Sequence, residues 1–243
     1  MYPELFTIGG ITVYTYGVCV ALGFFIALQY VIKHSSNTGM SKNQLYDFFF
    51  YIIIAGIVGA RLLYVLIEIK YFISNPLEIF QLWKGGLVYY GGFIGAAAVA
   101  AVYLKAKKIQ FPVIVDLLAP AIALGHFFGR IGCFFSGCCY GKECDSFIAV
   151  HHRYPTQLTE AFFNLFIFFI LHKMNAAKHK PGLIFWTYLI LYPVLRFTVE
   201  FFRGDDRGMF FFGLSIGQVI SLAIMAAASA VIILKYRKAY EKK

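Results

Sequence analysis

Charged side chains are scarce in this sequence, and their scarcity excludes most classes of protein. Only 14% of the 243 residues are Asp, Glu, Lys or Arg, whereas a soluble domain usually has about 25%. Apolar residues make up 60% of the chain and aromatic residues 19%, which excludes both an ordinary water-soluble fold and intrinsic disorder. We therefore expect the chain to fold in lipid.

Cysteine is also infrequent, and repeats are missing. Five cysteines are too few for a disulfide scaffold of this length. No internal repeat or low-complexity tract is visible, so we expect a single transmembrane domain over residues 1–243. The first apolar run, residues 11–32, has no basic segment before it and no small-residue cleavage site behind it. We expect this run to stay as a membrane anchor.

Seven apolar segments approach the length of about 20 residues that a helix needs to cross a hydrocarbon core of about 30 Å. Short linkers containing Gly, Pro, Asn or Ser separate most of them. The sequence therefore predicts an all-α, polytopic integral membrane protein with seven transmembrane helices. The segments are residues 13–32, 45–68, 87–104, 113–135, 158–172, 182–202 and 214–234.

The distribution of basic residues predicts the orientation. Thirteen Lys and Arg residues lie in the C-terminal tail and in the loops after the first, third and fifth segments, and five lie in the alternate loops. Because cytoplasmic loops carry the excess of basic residues, we expect the N-terminus outside and the C-terminus in the cytoplasm. The net charge of +10 is then explained by topology and requires no nucleic-acid partner.

Several ionisable residues lie inside the apolar segments. A charge at the membrane centre costs about 2.5 to 3.5 kcal/mol, so these residues must face one another or water. These residues could line a functional site. Alternatively, they could form structural ion pairs, or reach the membrane interface from the ends of helices. The residues are Arg61, Asp116, His126, Arg130, Glu160, Arg196, Glu200 and Arg203.

The arginines of the fourth and sixth segments favour an anion-binding cavity. Arg196, Glu200 and Arg203 are spaced to share one helical face with a net positive charge. Arg130 lies among glycines at positions 125, 129 and 132, which allow close helix contact. Guanidinium groups bind phosphate and carboxylate through paired donors. The sequence predicts an enclosed cationic cavity that holds an anionic lipid head group.

These motifs resemble the prolipoprotein diacylglyceryl transferase family, in their order and over nearly the whole chain. In that family phosphatidylglycerol gives its diacylglyceryl group to the thiol of a lipobox cysteine, and glycerol phosphate leaves. The matching stretches are Tyr16-Gly17, Gly59-Ala60-Arg61, Asn75-Pro76-Leu77, Trp83-Lys84-Gly85-Gly86, Gly91-Gly92, Asp116-Leu117-Leu118-Ala119-Pro120, Gly129-Arg130-Ile131-Gly132, Tyr154-Pro155-Thr156-Gln157-Leu158-Thr159-Glu160 and Arg196-Phe197-Thr198-Val199-Glu200-Phe201-Phe202-Arg203.

The resemblance implies a transferase in the inner membrane of a bacterium, with a phospholipid donor and a protein or small-molecule acceptor at the outer leaflet. It implies neither a cofactor nor a metal. It also implies the site residues. Arg130 and Arg196 would hold and polarise the donor phosphate, with Cys138 and Tyr90 completing the catalytic set. The substrate-binding residues would be Tyr16, Arg61, Cys133, Gly141, Gln157, Glu160, Glu200 and Arg203.

The sequence departs from the family at polar positions of the site. Tyr90 and Tyr154 stand where the family has histidine, and Cys133 and Cys138 stand where it has asparagine and glutamate. The arginines and glycines match, so the resemblance predicts that donor binding is retained. The substituted positions are those that would orient and deprotonate an acceptor. The acceptor, or the way in which it is activated, is therefore open.

Four cysteines follow the pattern C-x4-C-C-x4-C, at positions 133, 138, 139 and 144. They could form a structural disulfide, supply a reactive thiol at Cys138, or stay as free thiols. A metal site is disfavoured because zinc sites usually contain pairs of the form C-x2–4-C. Alternative functions are a divergent paralogue with another acceptor, a thiol oxidoreductase built on Cys133–Cys144, and a lipid or anion carrier.

Overall fold

The chain is mostly helical in the computed structural model, which describes residues 2–8, 11–82, 85–205, 210–211 and 213–236. In these ranges there are eight α-helices: α1 (Thr15–His34), α2 (Lys42–Ile67), α3 (Ile69–Ser74), α4 (Tyr89–Ala106), α5 (Phe111–Ser136), α6 (Thr156–Ala176), α7 (Leu183–Glu200) and α8 (Ile216–Val231). Two antiparallel hairpins join β1 (Glu4–Ile8) to β2 (Ile11–Tyr14) and β3 (Phe210–Phe211) to β4 (Leu214–Ser215).

Each predicted apolar segment coincides with one long helix. Five of these helices are long and apolar enough to cross a membrane: α1, α2, α5, α7, and α8 together with the π-helical turn that extends it to Tyr236. This confirms the predicted helical class. The other two, α4 and α6, are helical but not in that group, so the count of seven spans stays a prediction.

Part of the charge count that predicts the orientation falls outside the described residues, at Lys84, Arg207 and positions 237–243.

Polar side chains cap the starts of α2 and α7. Ser41 and Gln44 form a capping box at α2, in which each side chain bonds the backbone N–H of the other. At α7 the cap comes from another helix. The Asp116 carboxylate of α5 accepts hydrogen bonds from the backbone N–H groups of Gly182, at 2.6 Å, and Phe185, at 2.8 Å. Asp116 is therefore a helix cap and not a partner of a buried arginine.

The chain divides into two compact units, Ser35–Phe111 and the combination of Met1–His34 with Pro112–Lys243. In the unit Ser35–Phe111, α2 packs closely on α4. A Cβ atom on Gly59 would overlap the carbonyl oxygen of Gly91, and one on Gly95 would meet the carbonyl oxygen of Ala55 at 2.5 Å. The glycines thus let the two backbones approach directly.

The other unit has its apolar core between α5, α6 and α7. The core residues are Ala119, Ala123, Ile167, Leu171, Ile184, Tyr188, Leu195 and Val199. Helix α1 lies against α5, where a Cβ on Gly132 would be 3.0 Å from Cβ of Cys19. The predicted small-residue face is thereby confirmed at Gly132. At Gly129 the predicted close helix contact is absent among the described residues, because none of their atoms lies within 4 Å of a Cβ built there.

Candidate active site

A buried carboxylate joins the two arginines that the sequence singles out. Glu160 near the start of α6 contacts Nε of Arg130 through Oε2, and it accepts a hydrogen bond from Nη1 of Arg196 through Oε1 at 3.1 Å. The Glu160 side chain is 2% exposed, whereas those of Arg130 and Arg196 are 18% and 15% exposed. The structure thus brings together the guanidinium groups of α5 and α7, and each keeps a solvent-accessible part.

A second carboxylate holds Arg196 from its own helix. Glu200, one turn further along α7, contacts Nη2 of Arg196 through Oε2 at 2.8 Å. Oε1 of Glu200 accepts a hydrogen bond from the Ser215 hydroxyl at 2.6 Å. Ser215 also forms a capping box with Gln218 at the start of α8. Ser215 is not among the site residues that the sequence predicts. Its spacing to Gln218 could have revealed the cap, but not the bond to Glu200.

The arginine pair is close to electrically neutral, because Glu160 and Glu200 balance Arg130 and Arg196. It still has hydrogen-bond donors to offer. A guanidinium has five N–H groups; the contacts above use one on Arg130 and two on Arg196. Among the described residues no further protein acceptor takes the others. The remaining N–H groups on accessible side chains suit an anion with several oxygens, such as a phosphate.

Arg203 does not lie on the same helical face as Arg196, because α7 ends at Glu200. Beyond the helix, Arg203 forms an isolated β-bridge with Gly141. Its side chain donates two hydrogen bonds to Asp205, at 2.9 and 2.6 Å, and is nearly fully buried. The expected net positive face is thus wrong, since Asp205 offsets Arg203. Gly141 permits a close approach of chains, because a Cβ there would overlap Tyr154.

Three cysteine thiols lie together beside this bridge. The sulfur atoms of Cys133, Cys138 and Cys139 are all within 4.8 Å of one another. All five cysteines of the chain are free thiols, and Cys144 lies outside the group. We call Cys133, Cys138 and Cys139 the thiol cluster. It connects the end of α5 to the loop that follows.

Side chains from the start of α6 hold the loop of the thiol cluster. The Gln157 amide donates a hydrogen bond to the carbonyl of Cys138 at 2.7 Å, and the Thr156 hydroxyl donates one to the carbonyl of Cys139 at 2.8 Å. Gly137 and Cys139 both have a left-handed backbone, with φ of 73° and 60°. Gln157 therefore positions the loop, and its contact with substrate stays a prediction.

The thiol cluster lies beside two guanidinium groups, those of Arg130 and Arg203. The pKa of the Cys139 thiol is lowered from its ordinary value, because Cys133 and Cys138 donate hydrogen bonds to it and the Arg203 guanidinium contacts it. Arg130 interacts electrostatically with Cys133 and Cys139. The Tyr16 phenol interacts with the same cluster and with Arg130. Tyr16, half exposed on α1, is therefore a neighbour of both the thiols and the arginine pair.

The other two predicted site residues, Arg61 and Tyr90, belong to the unit Ser35–Phe111. Arg61 is buried and donates hydrogen bonds to the carbonyls of Glu78, Ile79 and Gly85, so it fastens the turn after α3. Tyr90 lies at the start of α4 with its side chain exposed. Their roles towards a substrate stay predictions. Of the matching motif in this turn, Trp83 and Lys84 lie outside the described residues.

Comparison with known proteins extends the likeness over nearly the full length. A family model described as prolipoprotein diacylglyceryl transferase matches residues 3–234. A relative from Clostridium tetani, named phosphatidylglycerol–prolipoprotein diacylglyceryl transferase, is 38% identical over 233 residues, which cover 91% of this chain and 93% of the relative. Relatives of the same name from Pseudoalteromonas translucida and Geobacter sulfurreducens are each 32% identical, over 99% and 97% of this chain and 95% and 96% of their own. The paired arginines, the glycine contacts and this full-length match lead to one assignment: the chain belongs to the prolipoprotein diacylglyceryl transferase family.

Proposed function

We propose that this chain transfers the diacylglyceryl group of phosphatidylglycerol to the cysteine thiol of a prolipoprotein. Relatives that carry the corresponding name match more than nine-tenths of the chain. The observation that carries the proposal is the convergence of Arg130 and Arg196 on Glu160, which leaves donors free for a phosphate. Accessible guanidinium groups beside apolar helices suit a lipid whose head group is an anion.

The arginine pair would act on the leaving group. The acceptor sulfur forms a bond to the glycerol carbon, the bond from that carbon to the phosphate oxygen breaks, and glycerol phosphate leaves with the electron pair. Negative charge grows on the phosphate as it leaves. Donors of Arg130 and Arg196, already fixed by Glu160, meet this charge without reorganising, and one such donor typically contributes about 2.7 to 4 kcal/mol. Glu200 and Ser215 keep Arg196 in this position.

The acceptor side of the site is proposed from family positions and from proximity to the arginine pair. Tyr16, Cys133 and Cys139 interact electrostatically with Arg130, and the Cys138 sulfur lies within 4.8 Å of the other two sulfurs. This proximity supports a role for Cys133 and Cys138 near the reacting carbon. Gly141 supports the same loop through its close approach to Tyr154. Direct contact of Arg203 with the substrate receives less support, because Asp205 already takes two of its hydrogen bonds.

We further propose that α4 and α6 also cross the membrane, which gives seven spans. The N-terminus would then be outside and the C-terminus in the cytoplasm of a bacterial inner membrane. With this orientation the end of α5, the start of α6 and the end of α7 all face outwards. The arginine pair and the thiol cluster would open to the outer leaflet, where the acceptor arrives. An alkaline phosphatase reporter fused after residue 243 should be inactive, and activity of that fusion would reverse the orientation.

The transfer itself is tested with purified protein in phosphatidylglycerol vesicles and a synthetic lipobox peptide. Mass spectrometry should show the peptide heavier by one diacylglyceryl group, and a peptide with serine in place of cysteine should stay unmodified. Arg130→Ala should abolish the product. An oxidoreductase built on the thiols would instead tolerate Arg130→Ala. A folded protein that leaves the peptide unmodified, and fails to restore lipoprotein lipidation in a strain lacking its transferase, would point to another acceptor.

A further inference from the structure

The thiol cluster has the donor set of a site for a soft metal ion. Thiolate ligands select ions such as Zn²⁺ and Cu⁺. Sulfur bound to Zn²⁺ at about 2.3 Å in a tetrahedron gives sulfur–sulfur distances of about 3.8 Å. The three sulfur atoms of the cluster are within 4.8 Å of one another, so small side-chain rotations bring them to this spacing. The spacing of the cysteines does not match the usual zinc pattern, because Cys138 and Cys139 are adjacent. Only the folded loop brings Cys133 close to them.

The cluster has hydrogen-bond donors and guanidinium groups beside it that suit thiolate ligands. Three thiolates and one divalent cation carry a net charge of −1. Arg203 contacts the Cys139 thiol, and Arg130 interacts electrostatically with Cys133 and Cys139. Hydrogen bonds from Gln157 and Thr156 fix the ligand loop from α6. Supporting contacts of this kind orient the ligands of protein metal sites.

Three protein ligands leave the fourth tetrahedral position open, as in catalytic zinc sites. Cys133 lies three residues after Arg130 on α5, so the two side chains share one helical face. An ion held by the cluster would therefore lie beside the group proposed to hold the donor phosphate. Its open position would be available to an acceptor that approaches the same carbon.

We propose that Cys133, Cys138 and Cys139 bind a Zn²⁺-like ion whose fourth position takes the thiolate of the acceptor cysteine. This inference rests on the proposed transfer function. It also supplies a way to activate the acceptor thiol where the resemblance implies histidine bases, since Tyr90 and Tyr154 stand at those positions. A thiol bound to such an ion is deprotonated outright, and metal coordination activates nucleophiles.

The step balances without any change of oxidation state. On coordination the acceptor S–H loses its proton to water. The bound sulfur then forms a bond to the glycerol carbon, and the carbon–oxygen bond to the phosphate breaks. Glycerol phosphate leaves with the electron pair, in the reach of Arg130. The product is a neutral thioether, which is a weaker ligand than a thiolate and leaves the ion.

The test uses the full chain, reduced, in detergent and free of metal, with Co²⁺ as the probe. One Co²⁺ per chain should bind with the absorption of thiolate-to-cobalt charge transfer, and Zn²⁺ should displace it. Cys139→Ser and Cys133→Ser should lose this absorption, while Cys144→Ser, outside the cluster, should keep it. A lipobox peptide should change the cobalt spectrum, whereas the peptide with serine should not. Thermal unfolding of each variant shows whether it is folded.

The outcomes separate this inference from the proposed function. Absence of cobalt binding by the folded, reduced protein overturns the ion site, and so does binding that survives Cys139→Ser. A cobalt spectrum indifferent to the cysteine peptide overturns the role of the fourth position. Full transfer by metal-free protein in the presence of a chelator overturns the inference but leaves the proposed function standing. A cobalt spectrum that responds to the peptide, in a protein that forms no product, supports the inference and counts against the transfer.

Discussion

Arg196→Lys changes the active site without changing its charge. Arg196 reaches two carboxylates at once, Glu160 through Nη1 at 3.1 Å and Glu200 through Nη2 at 2.8 Å. A lysine ammonium is a single point on a flexible stem and lacks the planar fork of donors. It can pair with one of these carboxylates, and it then has no second nitrogen in the fixed position that faces the phosphate.

The size of the effect follows from the donors that are lost. Loss of one fixed donor at a developing negative charge costs about 2.7 to 4 kcal/mol, which is about 10² to 10³ in kcat. The net charge is unchanged, so stability should fall less than it would on removal of the charge. We expect kcat for transfer to the lipobox peptide to fall by about this factor, with a melting temperature in detergent close to that of the parent.

The matched control is Arg153→Lys. Arg153 pairs with Glu143 at 3.3 Å, and both side chains are substantially exposed. An exposed pair of this kind contributes about 0 to 1 kcal/mol, so the same substitution here should leave kcat within a few-fold. If Arg196→Lys also keeps kcat within a few-fold while folded, the idea that Arg196 supplies fixed donors to the phosphate is refuted.

Two further substitutions test the contacts that support the site and the helices. Gly59→Ala should destabilise the protein by about 1 to 3 kcal/mol by overpacking, because the new Cβ would overlap the carbonyl oxygen of Gly91. Gly56→Ala, on the same helix with no atom closer than 3.8 Å to the new Cβ, should be neutral in the same thermal unfolding measurement. Ser215→Ala should cost about 1 to 3 kcal/mol, since it removes both the α8 cap and a hydrogen bond to buried Glu200. An unchanged melting temperature of Ser215→Ala would contradict that account.

Much of the helical layout could be predicted from the sequence, for a physical reason. Lipid allows few chain conformations, so apolar runs of sufficient length become helices. The cost of burying charge in lipid likewise singled out Arg130 and Arg196. The end of α7 was less predictable. The apolar run continues to Phe202, but the helix ends at Glu200, where Arg203 enters the bridge with Gly141.

The partners within the site could not be predicted, because they depend on how separate helices pack. The family resemblance predicts Glu160 as a substrate-binding residue, but its position between two arginines depends on the arrangement of α5, α6 and α7. The bond from Ser215 to Glu200 likewise joins two helices. The thiol cluster depends on the left-handed backbone at Gly137 and Cys139. That conformation is rare for cysteine, and no local pattern indicates it.

The cap that Asp116 places on α7 has a mechanical consequence. It fastens α5 to α7 at one end, and Glu160 links Arg130 to Arg196 towards the other. Arg130 follows Asp116 by fourteen positions, which corresponds to about 21 Å of helix. Because α5 and α7 are linked at two distant points, translation and rotation of one helix relative to the other are both restricted. Disruption of the hydrogen bonds at Asp116 should therefore misalign the guanidinium groups of Arg130 and Arg196, although Asp116 lies far along α5 from both of them.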